Sequence, residues 1–198
     1  GSNNTAVGGM DTNAFPTMFA NTTGSNNTAI GNSTLMCNTT ASNNVAVGKE
    51  ALKLNTTGCR NVAVGSLALD SNTTACGNTA VGYRGLDANT TGANNTAVGK
   101  GAMTNNTTAA DNTAVGKDAL LTNTTGACNT AIGVGALTAN TTAAENTSIG
   151  SASMLGNTTG TKNVAVGRCS LRCNTTADDN TAVGHASLFA NTTGTRNV

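Results

Sequence analysis

A 17-residue unit repeats along almost the whole chain. Eleven copies of N-(T/V)-A-(V/I)-G-x-x-(A/S/T/G)-(L/M)-x-x-N-T-T-(G/A)-x-x run from Asn4 to Arg196, and ten of them have this length. A unit this short cannot enclose a core, so each copy must bury its apolar residues against the copies before and after it. The period predicts an all-β fold, a parallel β-solenoid (β-roll or β-helix) with one coil per repeat. Positions 1 to 17 are counted below from the asparagine that opens each copy.

The repeats predict a single domain over residues 1–198, with the copies occupying 4–196. The first copy carries six extra residues, which predict a loop insertion at about residues 9–19 containing the sole proline, Pro16. The pattern begins and ends in mid-repeat, without the atypical capping repeats that solenoids normally have. We therefore expect this chain to be a fragment of a longer repetitive protein.

Composition limits the function classes. The chain has 10% charged and 2% aromatic residues and a net charge of +1, so it lacks the basic stripe and stacking platforms of a nucleic-acid binder. It contains no apolar run long enough to span a bilayer. Its one histidine, His185, has no repeated acidic or hydroxyl partner, and no ligand set for a metal occurs. We expect no enzyme activity, cofactor or metal.

Strand periodicity predicts which side chains face the core. Position 4 is always Val or Ile and position 9 always Leu or Met, which suggests two apolar columns inside the coil. The invariant glycine at position 5 is expected to end the strand and form a corner. If position 4 faces inward, position 2 does too, and position 3 faces outward. Position 3 is Ala ten times and Ser once, so we expect either a second chain packed there, as in a homo-oligomer, or a tight corner within one coil.

Two asparagine columns are invariant, and stacked asparagines can form amide ladders. The position 12 column is followed by Thr-Thr in every copy, which also makes each asparagine a candidate for N-glycosylation. The position 1 column is read as a structural ladder, and it comprises Asn4, Asn27, Asn44, Asn61, Asn78, Asn95, Asn112, Asn129, Asn146, Asn163 and Asn180. The position 12 column, read as a ladder or as glycan acceptors, comprises Asn21, Asn38, Asn55, Asn72, Asn89, Asn106, Asn123, Asn140, Asn157, Asn174 and Asn191.

Position 15 alternates strictly between Gly and Ala, from Gly24 to Gly194. Two interpretations fit this alternation. Either the gene grew by duplication of a 34-residue pair, or each structural turn contains two copies that face different surroundings.

Six cysteines follow no metal-ligand spacing. Cys59 and Cys76 occupy the same position in successive copies, so with one copy per coil their Cα atoms would lie close enough for a disulfide. Cys169 and Cys173 could meet within one coil. The alternative is that all of them are isolated small residues at surface turns.

The strand segments Asn44-Val-Ala-Val-Gly48, Asn61-Val-Ala-Val-Gly65 and Asn163-Val-Ala-Val-Gly167 resemble the head repeats of trimeric autotransporter adhesins, whose motif reads approximately S-V-A-I-G, and similar repeats of phage tail fibres. The resemblance covers nearly the whole chain. It implies a left-handed parallel β-roll, three chains packed side by side, and a surface-displayed fibre that contacts host matrix or other cells.

The sequence thus favours a structural or adhesive extracellular fibre segment, the shaft or head of a surface or virion filament, that forms a trimer or other homo-oligomer. One alternative is an N-glycosylated fibril core that carries glycans. A second is an ice-binding solenoid, because the threonine columns after position 12 could present a regular array of hydroxyl groups. We expect no nucleic-acid partner.

Overall fold

The computed structural model describes residues 1–9 and 16–198, and these form one parallel sheet of short strands with connecting turns and no helix. Each strand has three residues and covers positions 2 to 4 of its repeat. The strands are β1 (Thr5–Val7), β2 (Thr28–Ile30), β3 (Val45–Val47), β4 (Val62–Val64), β5 (Thr79–Val81), β6 (Thr96–Val98), β7 (Thr113–Val115), β8 (Thr130–Ile132), β9 (Thr147–Ile149), β10 (Val164–Val166) and β11 (Thr181–Val183).

The strands follow one another in the sheet in chain order, and every neighbouring pair is parallel. Equivalent repeat positions are paired, as in Thr96 with Thr113 and Ala97 with Ala114. This register confirms the predicted β-solenoid with one repeat per coil, and it rules out a structural turn of two copies. At about 4.8 Å between parallel strands, the stack of coils is roughly 50 Å long.

The core lies inside the coil, but one of the two predicted apolar columns is wrong. The Leu and Met side chains of position 9 are buried as predicted; Leu52, Met103 and Leu120 are 0% exposed. The Val and Ile side chains of position 4, predicted to face inward, instead lie on the outer surface of the sheet. The small side chains of position 3, predicted to face outward, point into the core, and Ala97 is 0% exposed.

The reason for this inversion is the narrow interior of a 17-residue coil. Position 9 already supplies one large side chain per coil, and the buried residues of positions 1, 8 and 12 take the remaining space. Only a methyl or hydroxymethyl group fits opposite them, which explains why position 3 never exceeds Ser in size. The uniform smallness therefore comes from a tight space within one coil rather than from a second chain.

The one polar exception at position 3 keeps its hydrogen bonds. The Ser148 hydroxyl donates to the Ser153 carbonyl oxygen at 2.9 Å, and the hydroxyls of Ser153 and Ser170 lie 3.0 Å apart. Since Ser153 and Ser170 both occupy position 8 of successive coils, three hydroxyl groups share this part of the core. Each of the three hydroxyls has a hydrogen-bond partner, as buried polar groups require.

The backbone forms its corners with left-handed conformations that the sequence pattern does not predict. The Leu and Met residues of position 9 have φ between 44° and 54°, and positions 7 and 17 also have positive φ in most coils. Left-handed φ is uncommon for residues other than glycine. Each coil thus closes its corners by conformations that stacking on its neighbours must hold in place.

The predicted insertion in the first coil falls partly outside the described residues, since residues 10–15 are not among them. Beyond it the regular coil is already present. The amide of Met18, at position 9, donates to the Thr34 carbonyl oxygen at 3.0 Å. The amide of Ala20 donates to the Met36 carbonyl oxygen, also at 3.0 Å.

The Gly and Ala alternation at position 15 has a local structural counterpart. The backbone hydrogen bond that joins position 13 of successive coils is 2.9 Å from Thr90 to Thr107, in a Gly coil, and 3.3 Å from Thr107 to Thr124, in an Ala coil. A Cβ atom built on Gly92 would overlap the carbonyl oxygen of Ala109 and lie 2.6 Å from Asn89 Oδ1. The corner is therefore closed more tightly where glycine lies.

We predict that Gly92→Ala lowers the free energy of unfolding by about 1–3 kcal/mol, because the added methyl group enters an occupied corner. The matched change Ala109→Gly, one coil along, removes a methyl group and should cost only about 0.5–1 kcal/mol. Chemical denaturation followed by circular dichroism measures both. Equal losses for the two variants would show that the alternation records gene duplication and has no packing role.

Candidate functional site

The position 1 asparagines form a continuous ladder along the rod. In the coil that begins at Asn44, the backbone amide donates to Asn27 Oδ1 at 3.0 Å and Nδ2 donates to the Gly58 carbonyl oxygen at 2.9 Å. The Oδ1 atom of Asn44 in turn accepts from the amide of Asn61 at 2.9 Å. From Asn27 to Asn180 these side chains are buried. Each one ties its coil to both neighbours.

The position 12 asparagines form a second ladder, which is buried from Asn38 to Asn174. Asn106 Nδ2 donates to Asn89 Oδ1 at 2.9 Å and to the Ala109 carbonyl oxygen at 3.0 Å. Asn106 Oδ1 accepts from Asn123 Nδ2 at 2.9 Å, and Asn106 is 0% exposed. Both amide hydrogens are thus in use, and no route to solvent exists for an attached glycan. Within the folded stack, this geometry favours the ladder interpretation of the column over the glycan acceptor interpretation.

The two threonines after position 12 have different environments. At position 13 the hydroxyl donates to the backbone of the next coil, as in Thr107 Oγ1 to the Thr124 carbonyl oxygen at 3.2 Å. At position 14 the side chain is exposed in every coil, for example Thr91 and Thr108. Only one freely exposed threonine column therefore follows the asparagine, which weakens the ice-binding alternative.

The outer face of the sheet is an uncharged surface that the described coils share. It consists of two columns of β-branched side chains, Thr or Val at position 2 and Val or Ile at position 4. Val81, Val115 and Ile132 are 37%, 36% and 38% exposed. We call these columns the sheet face. The sheet face was not predicted from the sequence. The consistently small residue between two β-branched residues in each strand was the signal that could have indicated it.

Charged side chains of the described residues avoid the sheet face. They occupy positions 6, 7, 10, 16 and 17 of the repeat. Of these, positions 6 and 17 lie on either side of the strand and border the sheet face. Position 6 carries Lys49, Lys100, Lys117 and Arg168. An apolar surface bordered by polar residues is typical of an interaction site.

Among the charged residues, Asp70 is half-buried and Arg84 is paired with a carboxylate. Burial raises the pKa of its carboxyl group, while the charge of Lys53 opposes that rise. In the next coil Arg84 Nε donates to Asp87 Oδ2 at 2.6 Å, and this bond raises the pKa of Arg84. These groups lie at positions 7 and 10, on a different side of the coil from the sheet face.

The structure brings together one of the two cysteine pairs selected from the sequence. The Sγ atoms of Cys59 and Cys76 are 2.7 Å apart. Cys169 and Cys173 lie at positions 7 and 11 of one coil, and neither a disulfide nor a hydrogen bond joins them. Cys37 is half-buried and Cys128 is exposed.

Other kinds of site have little support among the described residues. His185 is exposed, and no three His, Cys, Asp or Glu residues of the described chain are grouped as metal ligands would be. A depression of 190 Å³ lined by Tyr83, Arg84 and Lys100 is smaller than the roughly 300 Å³ of the smallest typical ligand pockets. Over the same part of the chain, no helix has the length and apolar character needed to cross a membrane.

Comparison of this chain with protein-family models, with curated proteins and with solved structures gave no match.

Proposed function

We propose that this chain is a structural segment of an extracellular or virion fibre, a rod-shaped shaft or head that associates with further copies of itself through the sheet face. The observation that carries the proposal is the sheet face itself, which continues without a charged residue through all eleven strands. Its features support lateral association more directly than they support any catalytic or small-ligand role.

The internal bonding of the coils supports a mechanical role. Both asparagine ladders, the strand pairing and the position 13 hydroxyl bonds connect each coil to the next. Because all of these bonds run along the rod axis, bending or stretching the rod would strain many of them together. Such an arrangement suits a stiff spacer.

The exposure of the sheet face supports self-association. Six of its position 4 side chains, between Ile30 and Ile149, are 36–40% exposed, although Val and Ile are residues that folding normally buries. A second copy offers the same two columns at the same spacing, so like faces can pack along their full length. A trimer or a filament of this kind agrees with the adhesin-like and tail-fibre-like repeats described above, and contact with a host or matrix surface is proposed on that resemblance.

A charge placed on the sheet face tests the proposal. Val115→Lys should weaken self-association at least about 100-fold, because an unpaired buried charge costs several kcal/mol. Ser151→Lys adds the same charge at position 6, where other coils already carry Lys, and should leave association unchanged. Analytical ultracentrifugation over a range of concentrations measures the association constants, and circular dichroism verifies that both variants fold.

A wild-type chain that stays monomeric at all concentrations would overturn the proposal, as would equal association of the two lysine variants. Surface display has a separate test. Gold-labelled antibodies against the folded chain should decorate filaments on the cells or particles that produce it, and labelling confined to the cell interior would contradict an extracellular fibre.

A further inference from the structure

Position 16 forms a column at one corner of the rod, and several of its polar side chains accept hydrogen bonds from the backbone of the preceding coil. The amide of Ser25 donates to Ser42 Oγ at 2.9 Å, and the amide of Thr161 donates to Asp178 Oδ1 at 2.6 Å. At Cys59 the same bond is present, with the amide donating to Cys76 Sγ at 2.9 Å. A sulfur atom thus takes the place of an oxygen without breaking the regularity of the corner.

The pairing of the coils places the two thiols at disulfide distance. Neighbouring parallel strands are about 4.8 Å apart, and disulfides join Cα atoms separated by about 4.4–6.8 Å. The side chains of Cys59 and Cys76 point toward each other, with 2.7 Å between their Sγ atoms. Small rotations about the Cα–Cβ bonds would bring the sulfurs to the bonded distance of about 2.05 Å.

We propose that Cys59 and Cys76 are a covalent modification site, an intramolecular disulfide that joins the third and fourth coils when the chain meets a small-molecule disulfide such as oxidised glutathione. The site is separate from the sheet face and does not depend on the proposed fibre function.

The reaction proceeds by two exchanges that balance in atoms and electrons. The Cys59 thiolate attacks one sulfur of the glutathione disulfide, which forms a mixed disulfide and releases one glutathione thiolate. Cys76 then loses its proton to solvent and attacks the Cys59 sulfur, so that the second glutathione leaves as thiolate. The two cysteines are oxidised by two electrons in total, and the glutathione disulfide is reduced to two thiols.

The surroundings of the pair assign the first attack to Cys59. A hydrogen bond from the Cys76 thiol lowers the pKa of Cys59, and the charge of Arg60 lowers it further. Burial raises the pKa of Cys76, so that Cys59 is the more readily deprotonated of the two thiols. The thiolate is the attacking species in disulfide exchange.

The remaining cysteines lack this arrangement. No other two cysteines occupy the same repeat position in successive coils. Cys169 and Cys173 share a coil but sit at different corners, and Cys37 and Cys128 lie in other coils. Oxidation should therefore be selective for one of the fifteen pairings that six cysteines allow.

Peptide mapping tests this selectivity directly. The reduced full chain is incubated with a glutathione redox buffer, free thiols are alkylated, and the denatured chain is digested with trypsin. Cleavage after Lys and Arg places each of the six cysteines on a different peptide, with Cys59 on 54–60 and Cys76 on 61–84. We expect the cross-linked pair 54–60 with 61–84, a loss of two free thiols, and formation at least about 10-fold faster than any other pairing.

Two variants control the test. Cys59→Ser introduces the residue found at the same position in other coils, as in Ser25 and Ser42, and should abolish the cross-link while the fold is kept. Cys169→Ser should leave its rate unchanged. Persistence of both thiols in the folded chain would overturn the proposal, as would a faster Cys169–Cys173 cross-link or joining of 54–60 to the same peptide of another chain. The expected cross-link lies within one chain, so its formation does not require the rod to self-associate.

Discussion

Replacing Asn106 by alanine is expected to lower the free energy of unfolding by about 2–5 kcal/mol. The change removes the donor to Asn89 Oδ1 and the acceptor of one Asn123 amide hydrogen, both inside the core. A buried polar group without a partner costs about 1–3 kcal/mol, and two such groups are left. The Ala109 carbonyl oxygen is less affected because Asn95 Nδ2 also donates to it, at 2.8 Å.

The adjacent residue provides the control for this prediction. Asn105 is exposed and lies at position 11, outside both ladders, so Asn105→Ala should change the stability by no more than about 0.5 kcal/mol. Denaturant midpoints of the two variants, followed by circular dichroism, give the comparison. If the two midpoints coincide, the asparagine ladder does not stabilise the stack.

The second large effect is expected at Gly99, in the corner after strand β6. Its φ is 135°, and a Cβ atom there would lie 2.6 Å from the Gly116 carbonyl oxygen of the next coil. Gly99→Ala therefore adds backbone strain of about 1–3 kcal/mol and a collision with a backbone atom that cannot move without disturbing the stack. We expect a total loss of about 2–6 kcal/mol.

Gly184 allows the strain to be separated from the collision. Its φ of 121° is similar, but no atom lies within 4 Å of the Cβ that a substitution would add. Gly184→Ala should thus lose only the strain, about 1–3 kcal/mol. Thermal and chemical unfolding of both variants provide the measurement. A loss at Gly184 as large as that at Gly99 would show that coil-to-coil packing does not account for the invariance of position 5.

Some structural features of these repeats could be predicted from the sequence and others could not. The corner glycine was predicted, because a fixed glycine directly after a short β-branched run is typical of a turn that ends a strand. The inward column of position 4 was predicted wrongly. In a three-residue strand either position 3 or positions 2 and 4 can face the core, and the larger hydrophobic side chains of position 4 favoured the second choice. Burial of Ala97 and exposure of Val115 reverse that choice. Volume inside the coil decided the orientation, and volume cannot be read from one repeat.

The ladders illustrate the same limit. Invariance of position 12 fitted both a hydrogen-bonded column and a glycan acceptor, since both require asparagine at each copy. The two hydrogen bonds donated by Asn106 Nδ2 and its complete burial favour the hydrogen-bonded column, and both arise only once neighbouring coils are in place. The left-handed φ of Leu52 and its equivalents had no sequence signal, because leucine is not a residue that favours this conformation.

The sequence by itself determined the period and the stacking of like residues on like, because a short unit can be buried only by its own copies. The strand register then decided that each coil holds one repeat and not two. The tertiary structure alone decided which side of each strand faces the core, which amides are accessible and which two cysteines meet. These features depend on the cross-section of the coil and on distances between coils, which are set by packing of the whole stack.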